Sequence, residues 1–276
     1  MNNKNNLFYS IIEKTCLWAS AAFFLFPLIW MISGSFKNQS ATVKMPPELI
    51  PTEPTLINYN NLLFDSSILR WMVNSIIVSV SATILLCLIA SMAGYAITKT
   101  EFKGKNLIFT VILASMLIPR QLTLVPMFSL MRDLELVNKL PSVIIPVIAM
   151  PFGVFMMKQF SQTTPTELLQ AGRIDGCSEI GLFLRIFLPI VKPGLGALAI
   201  FTFATAWNDY MWQLVMLSSS STMTIPVGIA TLIGEYVAEY GKQMAAATIG
   251  MIPTTLVFII FQRYFVKGIT LGGVKG

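Results

Sequence analysis

Histidine is absent from this 276-residue sequence, cysteine occurs three times, and only 12% of residues carry charge. Without histidine, imidazole-based acid–base catalysis and the commonest nitrogen metal ligand are excluded. Cys16, Cys87 and Cys177 are scattered, so they form neither a CxxC pair nor a disulfide framework. A soluble domain carries about 25% charged residues, and a chain with half that share cannot cover a water-facing surface. Apolar residues fill the gap: 55% are hydrophobic and the mean hydropathy is +0.71. That is the composition of a membrane protein. The net charge of +6 does not indicate nucleic acid, because the 19 basic residues punctuate apolar runs instead of forming a patch. A GxxxxGK[ST] phosphate loop is also missing: Lys105 follows Gly104, but Lys99 stands where the motif needs glycine and Asn106 comes next.

A membrane-crossing helix needs about 20 apolar residues. Six stretches qualify, near 16–36, 71–97, 107–131, 141–160, 186–217 and 243–266. The pattern predicts an all-α membrane protein with six transmembrane helices in a single domain over 1–276. Lys4 and Lys14 precede the first stretch as in a signal peptide. Its apolar run is too long for a signal core, and Ser33-Gly34-Ser35-Phe36 is a poor cleavage site, so it reads as a retained span. With the N-terminus inside, twelve lysines and arginines fall in cytoplasmic segments and six in outer ones, with Arg120 within a span. Both termini are therefore expected in the cytoplasm.

The connections differ in character. The outer segment 37–70 contains Pro46, Pro47, Pro51 and Pro54 and is expected to be extended rather than helical. Segment 99–105 is a short basic inner turn. The outer loop 217–243 starts with a polar run, carries apolar Ile225-Pro226-Val227 and Ile229, and ends near Glu235 and Glu239. Those apolar residues suit a surface that meets another protein. No internal repeat is evident.

The inner loop 161–192 is the most informative segment. Thr164 can cap a helix that Pro165 opens and Glu167 completes as a capping box. Leu168, Ala171, Gly172 and Asp175 then share one helical face, and Gly176 can stop the helix. Ser178 can cap a second helix, with Phe183, Ile186 and Phe187 expected to face the membrane. Pro189 and Pro193 bend the chain into the next span. Small Ala171 and Gly172 on one side allow close approach of another body; an amphipathic helix lying on the lipid interface fits the pattern equally.

Glu167-Leu168-Leu169-Gln170-Ala171-Gly172-Arg173-Ile174-Asp175-Gly176-Cys177-Ser178, followed by Ile186-Phe187-Leu188-Pro189 and Pro193, resembles the EAA loop of ABC importer permeases. Met45-Pro46-Pro47-Glu48-Leu49-Ile50-Pro51 resembles the first outer loop of the sugar-transporting branch. Trp207-Asn208-Asp209-Tyr210 resembles its fifth-span motif, and Val266-Lys267-Gly268 with Gly272-Gly273-Val274-Lys275-Gly276 its tail. The chain thus resembles the smaller permease of a maltose-type carbohydrate importer. It departs from the pattern at Gln170, where Glu is usual, at Gly172 and at Cys177, where Ala is usual. Gln keeps a hydrogen bond but loses the charge-assisted part of an ion pair.

The resemblance implies a type I ABC importer permease in a bacterial inner membrane, with a cytoplasmic coupling helix between spans four and five. It implies no catalysis and no cofactor in this chain. ATP and Mg²⁺ would belong to two partner ATPase subunits, alongside a second homologous permease subunit and an extracellular solute-binding protein. A sugar would cross the lipid bilayer, and no nucleic acid is involved. Glu167, Gln170, Ala171, Gly172, Asp175 and Gly176 would dock the ATPase, and Lys275 and Gly276 would face it from the tail. A permease for another solute, such as a glycerol phosphodiester, would look nearly the same. An ion-coupled secondary transporter fits poorly, because the spans lack mid-membrane acidic groups.

Three further residues are candidates for a translocation path or gate. Arg120 follows Pro119 within the third stretch; it either lines a path or, if the helix breaks at Pro119 and Pro126, snorkels to the outer surface. Asn208 and Asp209 lie beside Trp207 and Trp212. Asn208 is expected as a buried amide on the path, and Trp212 as part of an interfacial aromatic belt. The sixteen methionines read as packing material. Ala90, Ser91, Ala93 and Gly94, and Ala245, Ala246 and Ala247, mark helix–helix contacts.

Overall fold

The computed structural model describes residues 2–232 and 239–273, and side chains over 9–232 and 239–263. The described backbone is almost entirely helical. Its elements begin with α1 (Asn2–Ser35), α2 (Gln39–Thr42), α3 (Ile57–Asp65) and α4 (Ile68–Lys99). There follow α5 (Lys105–Ser115), α6 (Leu124–Asp133), α7 (Pro141–Ile148) and α8 (Pro151–Gln162). Segment 161–192 holds α9 (Thr166–Ile174), α10 (Glu179–Gly181), a π-helical turn (Leu182–Phe187) and α11 (Leu188–Ile190). The remainder is α12 (Lys192–Trp207), α13 (Met211–Met216), α14 (Ile225–Thr231) and α15 (Tyr240–Gly273).

Among the described residues, four stretches are long and apolar enough to cross a membrane: Tyr9–Ser35, Ile68–Lys99, Pro141–Gln162 and Tyr240–Arg263. Two more cross only if a bent pair counts as one span. Lys105–Ser115 and Arg120–Asp133 meet at 94°, and Glu179–Ile190 and Lys192–Trp207 at 77°. Stretch 107–131 is therefore not one straight helix, whereas the bend ahead of α12 falls where Pro189 and Pro193 were expected to turn the chain. Pro119 is extended (φ −59°, ψ 133°) and ends the first half of its pair, whereas Pro126 sits in the first turn of α6 and breaks nothing. Pro193 opens α12 just after the second bend, and α12 stops at Asn208 before α13 begins.

The chain forms two compact units. The first comprises Met1–Ile68 with Ile229–Met251. Here segment 37–70 departs from expectation: the proline-rich part is irregular, but nine residues of α3 are helical. Asn58 explains why. Buried on α3, it donates to the carbonyls of Ser35 and Lys37 at 2.9 and 2.8 Å, satisfying the C-terminal end of α1. Lys37 is buried as well, 4.8 Å from the Trp30 ring centroid, and donates to the Glu48 carbonyl.

The second unit comprises Leu69–Gly228 with Ile252–Gly276, and α4 is its spine. Val78, Ala82, Leu86 and Ala90 recur every fourth residue, so they share one face, and all four are fully buried. Together they reach three parts of the core: Val78 joins Trp212 and Met216, Ala82 joins Val147 and Ala206, and Leu86 and Ala90 join Met157 and Leu198. Gly94 continues the row. A Cβ there would lie 2.9 Å from the Met157 backbone carbon, so only glycine permits α8 this close.

Candidate functional site

Segment 161–192 is built from α9 outward. Pro165, not Thr164, occupies the cap position of α9, and no side chain caps it. The expected capping box does not form. Thr164 is buried, its hydroxyl has no partner among the described residues, and its carbonyl instead accepts from the Lys99 ammonium. The C-terminal end behaves as expected. Gly176 has φ +81°, its N–H bonds to the Arg173 carbonyl at 3.1 Å, and the Cys177 N–H bonds to Gly172 at 2.9 Å. This pair of bonds is a Schellman stop. Ser178 then caps α10 through the Gly181 N–H at 3.2 Å.

Burial divides α9 differently from the sequence pattern. Leu169 is fully buried among Leu182 and Phe187, and Gly172 is buried beside it. A Cβ on Gly172 would come within 2.6 Å of Leu182 Cδ2 and 2.7 Å of Ile186 Cδ1. Gly172 therefore serves the protein's own interior, while Ala171 is exposed with Glu167, Leu168, Gln170, Ile174 and Asp175. Phe183, Ile186 and Phe187 are corrected likewise: Phe187 is a core residue and the other two pack against that core instead of facing lipid. The sequence missed a polar junction here. Arg173 donates to Glu179 through Nε at 2.7 Å and through a terminal nitrogen at 3.2 Å, and Tyr95 of α4 donates to Glu179 at 3.1 Å. The Glu179 hydrogen bond raises the Arg173 pKa further, so the guanidinium stays charged throughout the physiological range.

The second place is the break after α5. A single 3₁₀ turn (Arg120–Thr123) aims Arg120 at Asp209, with a terminal nitrogen 3.0 Å from Oδ2. Asp209 has only a tenth of its side chain exposed, and its other oxygen accepts from the Trp212 N–H at 3.3 Å. A cavity of about 230 Å³ adjoins the pair, lined also by Gln121, Thr123, Met127 and Trp212. Cation, carboxylate, amide, hydroxyl and indole thus share one opening. Two expectations change. The Asn208 amide is exposed and donates to Ala204 of its own helix at 2.8 Å. Trp212 is buried, with its indole N–H on the Ser142 carbonyl at 3.0 Å, and is no part of an aromatic belt.

The third place is the segment after α13. Ile225 and Val227, expected to meet another protein, are buried. Asn138, at φ +60°, clasps this segment: its carbonyl oxygen accepts from the N–H groups of Ser218 and Ser219 and from the Thr222 hydroxyl. Asn74 holds the Ser221 and Met223 carbonyls at 3.0 and 2.8 Å, and Trp71 the Ser220 carbonyl at 3.0 Å. Amides inside apolar runs (Asn74, Gln213) were the available signal, since a buried amide needs partners. Glu235 and the tail residues Lys275 and Gly276 lie outside the described residues.

The described architecture is a set of apolar helices, four of them long enough to cross a membrane, with α9 closed by a Schellman stop. Residues 86–271 match the family described as binding-protein-dependent transport system inner membrane component, and the chain belongs to that family. It is 38% identical over 255 residues to the arabinooligosaccharides transport system permease protein AraQ of Halalkalibacterium halodurans, covering 91% of each chain. It is 31% identical over 275 residues to the lactose transport system permease protein LacG of Rhizobium radiobacter, covering 96% of each. Its fold matches a chain in the crystal structure of a bacterial ABC transporter involved in the import of the acidic polysaccharide alginate, with TM-score 0.85, 20% identity, and coverage of 96% of this chain and 99% of that one.

Proposed function

We propose that this chain is the smaller of two membrane-spanning permease subunits through which an ATP-driven importer moves a sugar or oligosaccharide into the cytoplasm. The observation that carries the reading is the alignment, over nine-tenths of their length, with permeases whose names specify arabinooligosaccharides and lactose. The excess of Lys and Arg in the segments on one side supports placing both termini and α9 in the cytoplasm. Two ATPase subunits bind ATP and Mg²⁺, a solute-binding protein delivers the sugar from outside, and a second permease completes the path.

The exposed side of α9, with Glu167, Gln170, Ala171 and Asp175, seats against one ATPase. Gly172 and Gly176 shape the helix from within and at its end. Closure of the ATPase pair moves α9, and the junction of Arg173, Glu179 and Tyr95 passes that movement to α4. Switching the permease between 1:99 and 99:1 needs about 5.5 kcal/mol of differential binding, which nucleotide-driven closure and docking of the binding protein supply together. Arg120 and Asp209, beside the cavity with Trp212, line or gate the path.

The test is reconstitution of the chain with its co-expressed partners in liposomes, measuring ATP hydrolysis against arabinooligosaccharides, lactose and a glycerol phosphodiester. Stimulation by a saccharide is expected. Solute movement by this chain alone, or stimulation by the phosphodiester only, would refute the reading.

A further inference from the structure

Three helix ends meet around a recess of about 380 Å³ that none of the roles above uses. The last turn of α4 contributes Thr98 and Lys99, the start of α5 contributes Asn106 and Phe109, and the end of α8 contributes Lys158 and Gln162. Two ammonium groups, two carboxamides and a hydroxyl therefore share one opening, with no acidic side chain in its lining. Lys99 is partly engaged, donating to the Thr164 carbonyl with Glu167 near enough to act on its charge. Lys158 has no carboxylate partner among the described residues; its ammonium lies over the Phe109 ring, 4.3 Å from the centroid, which leaves its hydrogen-bond donors open to an anion. Asn106 sits in the first turn of α5, which follows Gly104 at φ +87° and has no side-chain cap. The unbonded amides of that turn add partial positive charge.

Such a donor-rich, cationic recess is suited to a phosphate group. Its surroundings indicate which kind. Leu107, Ile108 and Val111, directly after Asn106 on α5, are 69%, 50% and 60% exposed. Acyl chains could lie along that apolar strip, whereas a dissolved ion gains nothing from it. We propose that this recess binds the phosphate headgroup of an anionic phospholipid, held by Lys158 and Lys99 with Asn106 and Gln162. Basic pockets between membrane helices recognise headgroups in this way. The proposal needs only that the chain spans a bilayer; it does not depend on the solute transported or on which side the termini lie.

Native mass spectrometry of the full complex counts the lipid retained after equilibration with mixed micelles of phosphatidylglycerol or phosphatidylcholine. Wild type is expected to retain phosphatidylglycerol in preference. Lys158→Gln should weaken that retention about fivefold, whereas Lys103→Gln, the same charge change on the exposed turn outside the recess, should leave it unaltered. Asn106→Asp is the second variant. A carboxylate in the first turn suits a helix start, so the fold survives while the phosphate is repelled and retention falls. Equal retention of the two lipids, equal loss in Lys103→Gln and Lys158→Gln, or undiminished retention in Asn106→Asp would each overturn the proposal. Displacement of the lipid by millimolar inorganic phosphate would reassign the recess to a free anion. None of these outcomes depends on transport, so the site and the proposed function fail separately.

Discussion

Arg173 grips the Glu179 carboxylate with two nitrogens, at 2.7 and 3.2 Å, and thereby ties α9 to the segment that leads into α12. Tyr95 donates to the same carboxylate, and its ring stands against Phe187 with centroids 4.9 Å apart. The polar junction thus rests on the packed interior of α4. Arg173 and Glu179 are 40% and 59% exposed, and an exposed ion pair contributes under about 1 kcal/mol. Its removal should spare the fold and affect the transmission of movement. Glu179→Gln is expected to assemble in normal yield and hydrolyse ATP, yet move fewer solute molecules per ATP in liposomes. An unchanged ratio would show that the junction transmits nothing.

Ala171 and Gly172 are neighbours with opposite duties. Gly172 adjoins Leu182 and Ile186, so Gly172→Leu should cost about 1–3 kcal/mol through overpacking and lower the yield of folded protein. Gly172→Ala should be tolerated, since the ends of those two side chains can rotate and alanine favours a helix by about 1 kcal/mol over glycine. Ala171→Leu sits on the exposed side, leaving folding intact while reducing co-purification of the ATPase. Thermal unfolding and pull-down yield, measured on the same preparations, separate the two. Normal stability in Gly172→Leu would contradict the inward placement.

Much of this was legible in the sequence because the relevant signals are local. Run length identified apolar stretches, Gly176 marked the stop of α9, and the small residues of α4 marked a close contact. Direction was harder to read. Leu168, Ala171, Gly172 and Asp175 do share a helical face, but helical spacing alone cannot say where the boundary between interior and surface falls across it. Gly172 lies on one side of that boundary and Ala171 on the other. Phe183, Ile186 and Phe187 were assigned to lipid because an apolar residue in a membrane protein suits lipid and core alike. The prolines did signal where the chain bends, with Pro119 as one of two readings and Pro189 and Pro193 before the next span, but the angles of 94° and 77° were out of reach, because hydropathy summed over a window takes no account of backbone direction. The Arg120–Asp209 pair joins residues 89 apart in sequence, beyond the reach of any spacing rule.

That pair yields a third prediction. Asp209 is mostly enclosed, so Arg120→Gln leaves a carboxylate short of a partner, at a cost of about 1–3 kcal/mol. Asp209→Asn leaves the more exposed guanidinium unpaired and should cost less. The exchanged pair, Arg120→Asp with Asp209→Arg, should recover part of the loss, giving a coupling term of at least about 0.5 kcal/mol in a double-mutant cycle of thermal unfolding. If the pair also gates the path, each single variant should raise ATP hydrolysis in the absence of the binding protein. Additive unfolding costs would mean that the two groups do not interact in the membrane.

Asn138 combines a backbone demand with a side-chain one, and two substitutions separate them. Its φ of +60° is open to asparagine and glycine but strained for most other residues. Its amide accepts from Ser218, Ser219 and Thr222, and donates to the Ser219 hydroxyl at 2.6 Å. Asn138→Gly keeps the backbone and removes the clasp; Asn138→Ala removes the clasp and adds left-handed strain of about 1–2 kcal/mol. Both should free residues 218–224 for proteolysis, with Ala the more unstable of the two by roughly that strain. Asn138→Asp tests the hydrogen bonds from the other side, because its carboxylate can still accept from Ser218, Ser219 and Thr222 while losing only the donor to Ser219. It should therefore resist protease almost as well as wild type. If Gly proved as resistant as Asp, the Asn138 clasp would not be what holds the segment, and its anchoring would rest on Asn74, Trp71 and the Thr224–Gln213 bond.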